Sequence, residues 1–223
     1  MQIFVYKNIP IRLHISFLAL VLLYIGYTGL KSGMFHMALI SIMCILIFGS
    51  VLLHELGHAL VARKLGYKTR HITLYPFGGI AALEMSQKNM ADHPGDEFRI
   101  AIAGPAMNMV IAMFVLPLVF LKVPLCAELL IVNLAMGIFN LVPAFPMDGG
   151  RVLRSWITPR KGVQKATKIV LRVSFWFAWA FIVIGILNKL FMLPVIGILL
   201  LVTIRSESLR INNKTIGFLS RYF

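Results

Sequence analysis

Apart from Asp148, six stretches of this 223-residue chain contain no Asp, Glu, Lys or Arg: residues 13–30, 32–53, 100–121, 129–150, 173–188 and 190–204. A hydrocarbon core about 30 Å thick needs roughly 20 apolar residues per spanning helix, and most of these runs approach or exceed that length. Composition agrees, with 59% hydrophobic and 13% charged residues and a mean hydropathy of +0.86, outside the range of soluble globular domains. The expected fold is an all-α polytopic membrane protein of about six transmembrane helices, forming a single domain over residues 1–223. The last two runs are short for a full crossing, so a shallow helical hairpin there, with four crossings in all, is the other arrangement the lengths allow. The first run lacks a short apolar core followed by a small-residue cleavage site, and is expected to be a retained span.

The net charge of +14 invites a nucleic-acid reading, but that requires basic residues gathered on one exposed face. Here the Lys and Arg counts outside successive apolar runs are 2, 1, 6, 1, 7, 1 and 4. By the positive-inside rule this alternation places both termini and the second and fourth loops in the cytoplasm, at the cell membrane, with lipid and not nucleic acid as the partner of the basic charge. The two cysteines, Cys44 and Cys126, have neither metal-ligand nor disulfide spacing and read as packing residues.

Residues 70–84, RHITLYPFGGIAALE, set β-branched and aromatic residues on either side of a Pro-Phe-Gly-Gly turn, which predicts a β-hairpin on the cytoplasmic side. The N-terminal IFVYKNIPIRLHI, broken at Pro10, has the composition to add a strand beside it.

The second run ends in Leu53-His54-Glu55-Leu56-Gly57-His58. On a helix, His54 and His58 at i and i+4 share one face and can grip one metal ion, while Glu55 lies close enough to hold a water on that ion and too far round to ligate it. An ionisable residue beside a long uncharged run costs at least about 2.5 kcal/mol on insertion scales, and a bound cation compensates it. Catalytic zinc takes three protein ligands and keeps one position for water. Of the eight acidic residues, Glu84, Asp92, Asp96 and Glu97 fall in an expected cytoplasmic loop, Glu128 in an outer loop, and Glu207 after the last run. Asp148 stands apart in Asn140-Leu-Val-Pro-Ala-Phe-Pro-Met-Asp-Gly-Gly150, where two prolines and two glycines break the helix. Broken helix at membrane depth is tolerated where it packs on protein or lines a cavity. Asp148 is thus the expected third ligand.

His54-Glu-Leu-Gly-His58 and Asn140-Leu-Val-Pro-Ala-Phe-Pro-Met-Asp148-Gly-Gly-Arg151 together resemble the paired signatures of the site-2 protease family of intramembrane metalloproteases. The likeness extends to Phe77-Gly-Gly79 and Ala103-Gly-Pro-Ala-Met-Asn108. It is strongest to the compact prokaryotic branch that includes the sporulation protease acting on a membrane-tethered sigma factor precursor. The PDZ insertion and the CBS pair of other branches are not seen. The resemblance implies hydrolysis of a peptide bond in or near a transmembrane segment of a membrane-anchored protein, with regulators of transcription among such substrates and a separate regulatory protein as a further partner. It implies one zinc ion per chain on His54, His58 and Asp148, Glu55 as the general base, and Asn140 as a donor to the oxyanion. Asn108 is a second candidate donor, with interhelical hydrogen bonding as its other reading.

A helical substrate must unwind before its carbonyl is accessible, and a strand edge at residues 72–75 or 80–83 could pair with the opened segment. His14, His36, His71 and His93 lack a ligand-spaced partner and read as interfacial or packing residues. A zinc transporter would line a path with successive sites, and the sequence has one cluster. A prenyl-protein endopeptidase would be expected to take its third ligand from a glutamate on another helix, and no Glu is so placed. A scaffold without activity would not need an intact base beside three ligands.

Overall fold

A computed structural model describes the chain except residues 1, 8, 68, 76–77, 84–89 and 220–223. Its elements are β1 (Gln2–Tyr6), β2 (Ile9–Leu13), α1 (Ile15–Lys64), β3 (Thr69–Tyr75), β4 (Gly78–Leu83), α2 (Pro94–Phe120), α3 (Cys126–Asn140), α4 (Asp148–Lys161), α5 (Val163–Leu187) and α6 (Met192–Leu219). They fall into two compact units, one of residues 1–89 and 102–138, the other of residues 90–101 and 139–223.

In the first unit, α1 is two helical limbs joined at Gly33, whose φ of 84° and ψ of 172° lie in a region essentially reserved for glycine. The limbs fold back on each other. A straight helix would separate Phe17 from Phe48 by about 46 Å, yet their ring centroids are 4.1 Å apart. The sheet requires the same return. β2 pairs in parallel with β3, Ile11 opposite Ile72 and Leu13 opposite Leu74, so the strand entering α1 and the strand leaving it run side by side. The two runs expected at 13–30 and 32–53 are these limbs. His14 caps the first, its Nδ1 accepting from Ser16 N at 3.3 Å.

The sheet has four strands in the order β1-β2-β3-β4. β1 and β2 form an antiparallel hairpin, as do β3 and β4. Pro76 and Phe77 of the expected turn lie outside the described residues, as does Glu84. Ile9 and Ile72 from the sheet pack on Leu56 and Ala59 of α1, so the strands brace the helical turn that carries His54 and His58. A second core joins Val115 of α2 to Cys126 and Leu129 of α3, and Cys126 is a buried packing residue there.

The second unit contains α4, α5 and α6. The run expected to span residues 129–150 is not one helix. α3 stops at Asn140 after 15 residues, about 22 Å long and short of the hydrocarbon thickness. Residues 141–147 are non-helical, as Pro143 and Pro146 dictate. Phe145 packs with Val170 and Leu171, while Met147 packs with Ala178 and Leu200, which fastens both flanks of Pro146 to α5 and α6. The Phe145 N–H also donates to Ser174 Oγ at 2.9 Å.

Asp148 opens α4, a helix that charge counting had placed in a loop. α5 and α6 likewise extend well beyond the charge-free runs at 173–188 and 190–204, because a helix continues past the membrane surface where Lys and Arg are soluble. Among the described residues, α1, α2, α5 and α6 are long and apolar enough to cross a membrane, and α3 is a shorter apolar helix. Large side chains such as Leu23, Leu30, Phe114 and Trp176 are more than 70% exposed, a surface that suits lipid and not water.

Candidate metal centre

His54 and His58 lie one turn apart on the second limb of α1 and are both buried. Their Nε2 atoms face each other at 3.2 Å. Two imidazoles bound tetrahedrally to zinc at about 2.0–2.1 Å hold their nitrogens about 3.3 Å apart, so the pair already has the bite of a shared metal. A neighbouring glycine makes this convergence possible. A Cβ at Gly104 of α2 would stand 2.2 Å from His58 Nε2 and 2.7 Å from His54 Nε2, so the space is available only because residue 104 has no side chain.

One turn on from Gly104, Asn108 is fully buried and sets Oδ1 2.5 Å from His54 Nδ1. Its Nδ2 donates to Asn133 Oδ1 at 3.0 Å. Asn133, fully buried on α3, donates through Nδ2 to Ser50 Oγ at 3.1 Å and to the Leu129 carbonyl at 2.9 Å. Sequence reading found Asn108 but not Asn133 or Ser50. The available signal was the four-residue spacing of Gly104 and Asn108 in the Ala103–Asn108 motif, which puts both on one helical face.

Glu55 is half-buried beside the histidines. Asp148 is buried at the first turn of α4. The glycine after it has a local reason: a Cβ at Gly149 would meet the Leu141 and Val142 carbonyls at 2.2 and 2.3 Å, so the loop folds back over the start of α4. Asn140 ends α3 half-buried. His54, His58 and Asp148 form a buried group able to hold a metal ion, one ligand atom from each lying within 4.8 Å of the others. No other such group of three occurs among the described residues, and His14 and His36 are occupied within α1 by Ser16 and the Ser32 carbonyl.

The expectation that Glu97 belongs to a loop is corrected by the structure. Glu97 lies in the first turn of α2 and is completely buried. Arg154 of α4 donates to it through Nε at 3.1 and 3.3 Å and through Nη2, and the guanidinium carbon sits 5.1 Å from the Phe145 ring centroid. The ion pair therefore ties α4 and the loop before Asp148 to the start of α2.

Residues 42–128 and 122–181 match the family model described as peptidase family M50, which is well over half of the chain. The chain belongs to peptidase family M50. A zinc metalloprotease of Methanocaldococcus jannaschii is 35% identical over 221 residues, covering 96% of this chain and 62% of the relative. A putative zinc metalloprotease of Synechocystis is 41% identical over 162 residues, covering 69% of this chain and 41% of the relative. Stage IV sporulation protein FB of Bacillus subtilis is 32% identical over 156 residues, covering 69% of this chain and 51% of the relative. The chain thus spans between 41% and 62% of the length of these relatives. The solved site-2 protease from Methanocaldococcus jannaschii has the same fold, with a TM-score of 0.68 and 35% identity over 93% of this chain and 94% of that one. Zinc, the metal in the names of the Methanocaldococcus and Synechocystis relatives, is the cofactor that two imidazoles, one carboxylate and an open position suit.

Proposed function

We propose that this M50 chain is an intramembrane zinc metalloprotease that hydrolyses a peptide bond within or near a transmembrane segment of a membrane-anchored protein. The observation that carries the reading is the buried His54–His58 pair, whose Nε2 atoms converge at 3.2 Å beside Glu55. His54, His58 and Asp148 are the zinc ligands, one ion per chain, and residues 1–223 act as one protease domain. Bound zinc supplies a Lewis acid and lowers the pKa of water towards about 7.

Glu55 takes the proton of the attacking water and delivers it to the leaving amine. Asn140 donates to the developing oxyanion, a role supported by its half-buried position at the end of α3, at the start of the loop that leads to Asp148. Asn108 was the other candidate donor. Its carboxamide is turned to His54 and Asn133, which supports a positioning role.

The substrate strand adds to β4. β3 is paired on both sides over residues 72–74, whereas β4 lies at the border of the sheet and packs on α1. The alternation of basic segments supports cytoplasmic termini and a centre near the cytoplasmic face. Six crossings result when the limbs of α1 count separately and α3 enters the bilayer without filling it. Substrates that regulate transcription, and a separate protein that controls access, fit regulated intramembrane proteolysis.

The test uses purified protein in liposomes with a panel of membrane-anchored substrates. Cleavage in or beside the spanning segment, lost on metal chelation and restored by zinc, is the expected result. Zinc-loaded protein that cuts none of them overturns the proposal.

A further inference from the structure

The hydrogen bonds behind His54 form a chain whose direction can be worked out from its ends. The Leu129 carbonyl can only accept, so the Asn133 group 2.9 Å from it must be the amide nitrogen. The other end of that carboxamide, facing Asn108, is therefore Oδ1. It accepts from Asn108 at 3.0 Å, so the Asn108 group there is Nδ2 and its Oδ1 faces His54. An oxygen 2.5 Å from His54 Nδ1 requires that nitrogen to carry a hydrogen. Ser50 gives the same direction independently. Its hydroxyl donates to the Leu46 carbonyl at 3.0 Å, leaving its oxygen to accept from Asn133 at 3.1 Å.

We propose that Asn108 and Asn133 are positioning residues, forming with Ser50 a buried relay that fixes the His54 hydrogen on Nδ1 and so keeps Nε2 as the metal-binding nitrogen. The proposal rests on the reading of His54 as a zinc ligand. The relay's two fixed points are main-chain carbonyls of α1 and α3, one helical turn from Ser50 and Asn133 respectively, so its polarity is set by helix geometry and not by an ionisable group. Asn108, Asn133 and Ser50 are all 3% exposed or less, and leaving any of their polar atoms unpaired in such a place is unfavourable. Partners behind a metal-bound histidine commonly change metal affinity by about 10–100-fold.

The experiment measures zinc affinity by chelator competition for wild type, Asn108→Leu, Asn133→Leu, the double variant and Asn108→Asp. Asn108→Leu removes the acceptor and is expected to weaken zinc by about 10–100-fold. Asn108→Asp keeps an acceptor towards His54 and is expected to recover most of that loss. Asn133→Leu should weaken zinc in the wild-type background and add nothing once Asn108 is leucine, since it acts only through Asn108. Equal penalties for Asn133→Leu in both backgrounds, or wild-type affinity for Asn108→Leu, overturn the relay.

A readout that needs no altered relay residue is nitrogen NMR of histidine-labelled, metal-free wild type, with His54 assigned by a His54→Gln sample. A hydrogen on Nδ1 is expected, and a hydrogen on Nε2 overturns the proposal even if the leucine variants do not fold. Wild-type protein that holds no zinc refutes the ligand reading instead, while the NMR result still decides the relay.

Discussion

Replacing Gly104 with alanine adds one methyl group and should displace the metal-binding atoms of both histidines. The new Cβ would lie 2.2 Å from His58 Nε2, 2.5 Å from His58 Cε1 and 2.7 Å from His54 Nε2, where real Cβ contacts essentially never fall below 3.0 Å. His58 Nε2 must therefore retreat by at least 0.8 Å, the difference between 3.0 and 2.2 Å. Metal–ligand distances tolerate about 0.2 Å. If the rings are instead forced back around an ion, the overpacking costs about 1–3 kcal/mol, which corresponds to roughly 5- to 140-fold in affinity. The assay is zinc content and chelator competition on purified protein, with Gly49→Ala as the control, because a Cβ there meets nothing within 4 Å. Gly49→Ala should bind zinc as wild type does. Folded Gly104→Ala with wild-type zinc affinity would refute the close approach of α2 to the histidine pair.

Other expectations follow from the same geometry. Arg154→Leu leaves Glu97 charged and buried without its guanidinium, and should lower stability by about 3–5 kcal/mol in thermal or denaturant unfolding in detergent, with Glu97→Gln added to it restoring part of the loss. Asn140→Ala should keep zinc and cut kcat by about 10²–10³-fold if the side chain serves the oxyanion; an unchanged kcat removes it from the mechanism. Gly33→Ala forces a side chain into a glycine-only backbone region and should cost about 1–3 kcal/mol, measured by the same unfolding. Substrates with Gly or Pro near the cleaved bond should be cut faster than all-leucine spans, since they unwind more readily to pair with β4; equal rates in a scanning series would contradict this.

The parts of the molecule legible in the sequence are those where one residue type conflicts with its surroundings. His54, Glu55 and His58 interrupt an uncharged run at helical spacing, and Asp148 ends another between two prolines and two glycines. Punctuation by Pro and Gly also marked the non-helical loop before Asp148 and the β3–β4 hairpin. Charge-free runs were a poor guide to helix ends. α4 and the extensions of α5 and α6 are rich in Lys and Arg, which mark the membrane surface but do not stop a helix. Glu97 was missed for the same reason, since its partner Arg154 is 57 residues away and nothing local shows the pair. Ser50 and Asn133 are single polar residues in apolar helices, a pattern common to many interhelical contacts. Their connection to His54 becomes visible only when α1, α2 and α3 are side by side.

The most direct test of the central claim compares wild type with Glu55→Gln in one preparation, measuring zinc per chain and cleavage of a membrane-anchored substrate in liposomes. Proton transfer by a positioned side chain contributes about 10²–10⁴-fold. The account predicts one zinc per chain in both proteins and cleavage slowed by that factor in Glu55→Gln. Wild-type cleavage by the variant, or absence of zinc from the wild type, would contradict it.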